Sequence, residues 1–254
     1  MKGCCALGAL LAAFAAGQAA AQQAGYRVEA EAGGSLEHLS NNQADWRSAG
    51  VSLEARNAER RSYYGYLRGT DRFDLRDNEG MVGTYQPFGG SWGAQLEGTV
   101  SPTHRVLAKG SLLGALEKRF EHGWGVQAGY RRSDYETDSS YVWMGTVDRY
   151  FSDFRAAYSV YLGRPDGAGF SPSHRLQFSY YYGDHSYVGI SGARGREVEN
   201  VVPVGLVVSQ VRSFSLAGRH EFAPGWELTY ELLRHRQGDF YTRRGLALGI
   251  RHAF

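Results

Sequence analysis

After Gln22, apolar and polar residues alternate one for one, again and again, with turn-forming clusters between the runs. The clearest case ends the chain. Leu246, Leu248, Ile250, His252 and Phe254 fall on one face, and Arg243, Gly245, Ala247, Gly249 and Arg251 fall on the other. Phe154, Ala156, Tyr158, Val160 and Leu162 oppose Arg155, Ala157 and Ser159 in the same way, and Leu176, Phe178 and Tyr180 oppose Arg175, Gln177 and Ser179. A period of two belongs to a β-strand with one apolar face. No long window shows the three- and four-residue spacing of an amphipathic helix.

Counting such runs predicts an all-β chain of about 14 strands, with 12 or 16 as alternatives. The segments are 26–38, 46–57, 61–71, 80–87, 92–101, 110–120, 124–133, 140–150, 153–163, 173–183, 186–194, 205–222, 226–236 and 241–254. The pattern is weakest over Ser62–Phe88 and Ser186–Val211. Connections alternate in length. Short turns fall at Asn57–Arg60, Glu121–Gly123, Ser152–Asp153, Gly183–Ser186 and Ala223–Gly225; longer polar loops fall at Ser40–Asp45, Asp134–Ser139, Gly163–Pro172, Ala193–Val204 and Arg236–Phe240. Short turns at one end and longer loops at the other are the habit of an antiparallel, up-and-down transmembrane β-barrel.

Two of the turns nearly repeat each other: Phe120 to Trp124, and Phe222 to Trp226. Each sets an aromatic at the end of one strand and another at the start of the next. Such rings favour a membrane–water boundary, so Trp124, Trp226, Phe120 and Phe222 are candidates for an aromatic girdle.

A secreted β-sandwich or a soluble eight-stranded barrel would also alternate. Both need a packed apolar interior, whereas here the polar faces carry charge deep within the strands. Glu54, Arg56, Arg68, Glu97, Glu117, Arg131, Arg155, Arg175, Arg219, Glu227, Glu231 and Arg251 are the candidate lumen-facing residues. Mean hydropathy is only -0.42, as expected when lipid sees every second strand residue. The alternating apolar residues that end at Phe254 resemble the signal read by the outer-membrane assembly machinery, so Leu246, Leu248, Ile250, His252 and Phe254 form the candidate assembly strand.

The only long apolar run, Ala6–Ala21, lies at the front, behind Lys2. Ala19-Ala20-Ala21 fits a small-x-small cleavage pattern, so residues 1–21 read as a signal peptide cut between Ala21 and Gln22, with 22–254 as the barrel. Cys4 and Cys5 both fall in the leader, which leaves no thiol for a disulfide, a thiolate-metal site or a Cys nucleophile. The formal net charge of +2 gives no argument for nucleic acid. Lysine is confined to Lys2, Lys109 and Lys118, so the cation is otherwise arginine; a GC-rich genome would give the same bias.

A set of short motifs in order then points to one family. They are Asp45-Trp46; Asp71 to Asp77 leading to Thr84-Tyr85-Gln86-Pro87; Val100-Ser101-Pro102; Gly123-Trp124 through Gly129 to Tyr135; Tyr141–Tyr150 running into Phe151 to Arg155; and Arg244 to Arg251. In their order and spacing the chain resembles the YaiO-like outer-membrane β-barrel family over nearly all of the mature sequence. The resemblance implies an outer-membrane location. The family carries no settled biochemical activity, and some of its members look associated with exopolysaccharide systems.

Enzymatic chemistry finds little support in the residues. Ser173-His174 and His185-Ser186 are the nearest candidates for a nucleophile–base pair, but neighbours on a strand point to opposite faces. His38, His104, His122 and His220 read as loop or boundary residues, and no spacing suggests a metal site or a cofactor. Asp71, Asp74, Asp77 and Glu79 could hold a divalent cation in a loop; interleaved Arg68, Arg72 and Arg76 favour pairing within a strand instead. The expectation is a non-enzymatic, monomeric barrel whose partners are outer-membrane lipids and the assembly machinery. Its leading role is a pore or passage for a hydrophilic solute or saccharide. A closed structural or adaptor barrel and a lipid-modifying enzyme are the alternatives.

Overall fold

The computed structural model describes residues 25–201 and 204–254. The leader at 1–21 and its Ala21–Gln22 cleavage point lie outside them. Fourteen strands follow one another: β1 (Tyr26–Leu39), β2 (Trp46–Asn57), β3 (Ser62–Arg72), β4 (Leu75–Phe88), β5 (Trp92–Val100), β6 (Gly110–Arg119), β7 (Trp124–Asp134), β8 (Ser139–Phe151), β9 (Phe154–Pro165), β10 (Ser171–Tyr182), β11 (Ser186–Val201), β12 (Gly205–Ala223), β13 (Trp226–Gln237) and β14 (Tyr241–Ala253). Each pairs antiparallel with its sequence neighbours, and β1 pairs with β14 from Glu29↔Ala253 to Leu39↔Arg243. The barrel is therefore closed. Closure satisfies every strand edge, which an exposed sheet in lipid could not do.

The apolar face of each strand is turned out. Leu36, Leu53, Leu67, Val82, Leu96, Leu112, Leu176, Phe214, Leu232 and Leu248 are all exposed. A soluble protein would bury such a set; a bilayer solvates it. The predicted girdle residues Phe120, Trp124, Phe222 and Trp226 are likewise exposed, at the end of the barrel that carries the short turns. Lys118 Nζ sits 4.9 Å from the Trp92 ring and 5.2 Å from the Phe120 ring, a cation at the same boundary. Gly123 makes one of these turns possible: φ is +78°, and a Cβ there would overlap the carbonyl oxygen of Tyr150.

Two strand boundaries differ from the sequence expectation. β4 begins at Leu75, not at residue 80, because Phe73 and Asp74 form a tight turn with φ of 55° and 60°. That pair lacks the Asn-Gly or Asp-Gly signature of such turns. Asp71, Asp77 and Glu79 are thus on strands and Asp74 is in the turn, with Asp71 opposite Arg76 and Arg72 opposite Leu75. β11 also runs on, past residue 194 to Val201, so most of the expected loop at Ala193–Val204 is ladder with β12, as far as Val201↔Gly205. Its glycine and charge content reads as loop, yet a hairpin beyond the membrane needs no apolar face.

Candidate functional site

The twelve charged positions singled out in the sequence all lie on strand faces opposite the exposed apolar band. The structure brings most of them to a partner of opposite sign. Arg56 pairs with Glu54, and Arg131 Nη2 reaches Glu97 Oε2 at 3.3 Å. Arg219 Nε lies 3.3 Å from the buried Glu227. Arg155 approaches Asp148 at 3.5 Å, and Arg68 pairs with Glu79. Arg251 is held between Glu29 at 2.8 Å and Glu31 at 3.2 Å. Glu117 accepts from Arg119 at 2.7 Å and from Arg60 at 3.2 Å. Arg175 and Glu231 are in no ion pair among the described residues.

Five of these partners are absent from the sequence candidates: Glu29, Glu31, Arg60, Arg119 and Asp148; Glu79 is read there as a pairing partner of the interleaved arginines. Glu29 and Glu31 share the alternation of the polar face and could have been read from it. Asp148 could not. Its carboxylate is nearly buried and draws Arg119 Nη1 to 2.8 Å from two strands away. Tyrosine and amide groups knit the acids further, with the Tyr64 hydroxyl donating to Glu97 at 3.0 Å and Gln95 Nε2 donating to it at 2.8 Å.

Between β1–β3 and β12–β14 lies an open cavity of about 600 Å³ with a mixed polar and apolar lining. Glu31, Ser35, Glu37, Ser48, Ser52, Tyr66, Arg68, Arg219, Thr229, Glu231 and Arg251 are among its lining. Small residues make the room. A Cβ on Gly249 would come within 2.7 Å of Glu31 Oε1 and 2.6 Å of Thr229 Oγ1.

Above the cavity, two connections reach over the loop end. The β11–β12 hairpin leans across the opening and buries Val201 against Leu39, Trp46 and Tyr241, with Phe73, Val207 and Phe240 packed around them. The Trp46 ring lies 5.1 Å from Phe73 and 5.5 Å from Tyr241, and Arg72 and Arg243 sit over it at 4.6 and 4.8 Å. From the other side comes the β5–β6 loop, which the expected strands 92–101 and 110–120 leave between them. Asp77 on β4 anchors it by accepting the backbone N–H groups of Arg105, Val106 and Leu107 at 2.8, 2.7 and 2.9 Å. Burial, reinforced by the Glu199 carboxylate, pushes the nearby Tyr135 phenol up to about 12.

The acidic run holds protein groups: Asp71 accepts from Arg76 at 3.1 Å, Glu79 from Arg68, and Asp77 from the loop backbone. The serine–histidine candidates stay apart. His174 bonds the Tyr158 hydroxyl at 2.7 Å on the outer wall, whereas Ser173 is buried on the opposite face. Ser186 Oγ accepts from the Glu221 amide, and His185 meets Arg27 at 3.4 Å.

A closed antiparallel barrel, apolar outside and charged within, defines an outer-membrane β-barrel protein. The chain belongs to the YaiO membrane β-barrel family, whose model matches residues 28–200. No curated protein sequence matches it. Among solved structures, Salmonella typhi OmpF in complex with daunomycin is similar at a TM-score of 0.52 and 9% identity, covering 90% of this chain and 97% of that one. The Acinetobacter baumannii outer membrane protein Omp33 is similar at 0.52 and 9% identity, over 91% and 100% of the two chains. The KdgM porin, in complex with disordered oligogalacturonate, gives 0.50 and 8% identity over 88% and 99%. These likenesses are of fold.

Proposed function

We propose that the barrel is a monomeric, non-enzymatic passage for a hydrophilic solute, with a saccharide as the class its lining suits best. The observation that carries this reading is the cavity of about 600 Å³ with its serine, threonine, tyrosine and paired-charge lining. Hydroxyl and carboxylate groups offer donors and acceptors to sugar hydroxyls, and Tyr66 and Tyr187 add aromatic faces. Balanced charge of both signs argues against selection by ion sign alone. The hairpin reaches over the loop end, and passage requires that hairpin to lift. An exopolysaccharide chain is one candidate cargo, in line with the associations of the family.

Single-channel recording on purified, folded protein in planar bilayers tests the reading. Discrete openings whose current falls when oligosaccharide is added support it. Silent bilayers, with the protein shown to be inserted, count against it. They would favour the second reading, an adaptor barrel plugged by its own ion pairs, which the covered loop end also suits.

A further inference from the structure

Arginine turned inward is matched by carboxylate at Arg68, Arg119, Arg219 and Arg251. Outward arginines near the loop end of β4 and β7 are matched too, Arg76 by Asp71 and Arg132 by Asp134; those of β11–β14 are not. Arg194, Arg196, Arg212, Arg234, Arg236 and Arg244, on the four consecutive strands β11–β14, are all exposed. Among the described residues, only Arg236 has an ion pair, with the fully exposed Asp239. Cross-strand register sets these cations side by side: Arg194↔Arg212, Arg212↔Arg236 and Arg234↔Arg244. Like charges directly opposite one another destabilise a sheet. A genome rich in arginine codons explains the residue type but not this placement.

The height of the row is equally informative. On β12–β14 the arginine follows directly on the exposed apolar run: Phe214 then Arg212, Leu232 then Arg234, Leu246 then Arg244. The aromatic girdle of Trp226 and Phe222 marks the opposite, short-turn end. Short turns face the periplasm in such barrels, so the arginines border the outer leaflet. A cavity of about 690 Å³ opens beside Arg212 and Arg236, lined also by Gln210 and Gly238. With strands about 4.8 Å apart, Arg194, Arg212 and Arg236 span about 10 Å of wall.

We propose that this row is a binding site for a phosphate-bearing lipid of the outer leaflet, with its headgroup on Arg194, Arg212, Arg236 and Arg244 and its acyl chains along Phe214, Leu232 and Leu246. Guanidinium forks match phosphate oxygens bidentately and hold their charge at any physiological pH. The bound phosphates supply the anions that the row lacks. An apolar wall directly beneath selects an amphiphile over a free ion.

The test uses the folded full-length chain in neutral detergent. Lipid A, its dephosphorylated form and inorganic phosphate are added in turn, and retained lipid is followed by native mass spectrometry. The wild type should hold lipid A and release it as salt rises. Arg194→Gln/Arg212→Gln/Arg236→Gln should weaken retention about a hundredfold, at roughly fivefold per arginine. The matching triple lysine variant should recover much of the affinity, and Arg76→Gln, on the far wall, should behave as wild type. Equal retention of the dephosphorylated lipid, equal retention by the glutamine variant, or indifference to salt would each overturn the proposal. So would displacement by inorganic phosphate at concentrations near that of the lipid, which would mark a simple ion site. Heat-modifiable migration on gels verifies that each variant is folded. Should the glutamine variant not fold, the salt and dephosphorylation arms on the wild type still decide.

Discussion

The side-chain amide of Asn200, on β11, donates to the main-chain carbonyl oxygen of Val106 at 2.7 Å. It ties the β11–β12 hairpin to the β5–β6 loop, two connections that start from well-separated parts of the wall. One neutral hydrogen bond contributes only about 1 kcal/mol. The larger share of the hairpin's hold comes from Val201, 5% exposed among Leu39, Trp46 and Tyr241.

Placing a carboxylate at Val201 should therefore release the hairpin, because an unpaired buried charge costs several kcal/mol. Val201→Asp is expected to raise single-channel conductance in planar bilayers, and Asn200→Ala to lengthen openings modestly. Identical traces for both variants and wild type would show that the hairpin does not set the conducting state.

Asp77 holds the other connection through three backbone N–H groups. Hydrogen bonds to a charged acceptor contribute about 1.5–3 kcal/mol each, net of the water bonds they replace. Asp77→Ala should free the loop enough for trypsin to cut after Arg105 in the folded barrel, with β-content unchanged by circular dichroism. A loop that resists cleavage in that variant is anchored by something other than this carboxylate.

Stability should depend on ion pairs by depth, not by number. Asp148 is almost wholly buried between Arg119 and Arg155, so Asp148→Ala leaves two guanidinium groups facing each other and should cost about 3 kcal/mol. Arg76, 85% exposed, should cost close to nothing when changed to alanine. Urea-induced unfolding in lipid vesicles measures both. Equal losses would argue against this ranking.

Trp124 and Trp226 are exposed on the apolar band, and Trp46 is buried at the loop end. In single-tryptophan variants, lipids brominated on their acyl chains should quench Trp124 and Trp226 strongly and Trp46 weakly. Strong quenching of Trp46 would mean that the loop-end cluster lies within the bilayer core or opens to it.

Much of the architecture is legible in the sequence. Strict alternation is a local property: once Leu246, Leu248 and Ile250 share a face, Gly245, Gly249 and Arg251 must share the other. The antiparallel strand order follows from short connections, and the strand number from counting runs. Alternation misled only where it was masked, at the Phe73-Asp74 turn and along the polar end of β11.

Which groups meet is a different kind of information. Arg119 reaches Asp148 across an intervening strand, and Tyr64 on β3 reaches Glu97 on β5. Such contacts depend on register and wall curvature, which no single strand encodes by itself. The same holds for the loop-end cluster, where Val201 finds Leu39, Trp46 and Tyr241 from distant parts of the chain. It holds as well for the outer arginines, each unremarkable in its own strand until register aligns Arg194, Arg212 and Arg236. Sequence by itself determined the period, and with it which face of each strand meets lipid. Only the tertiary structure decided which charges pair, which stand unpaired and what covers the lumen, because those outcomes turn on distances between residues far apart in the chain.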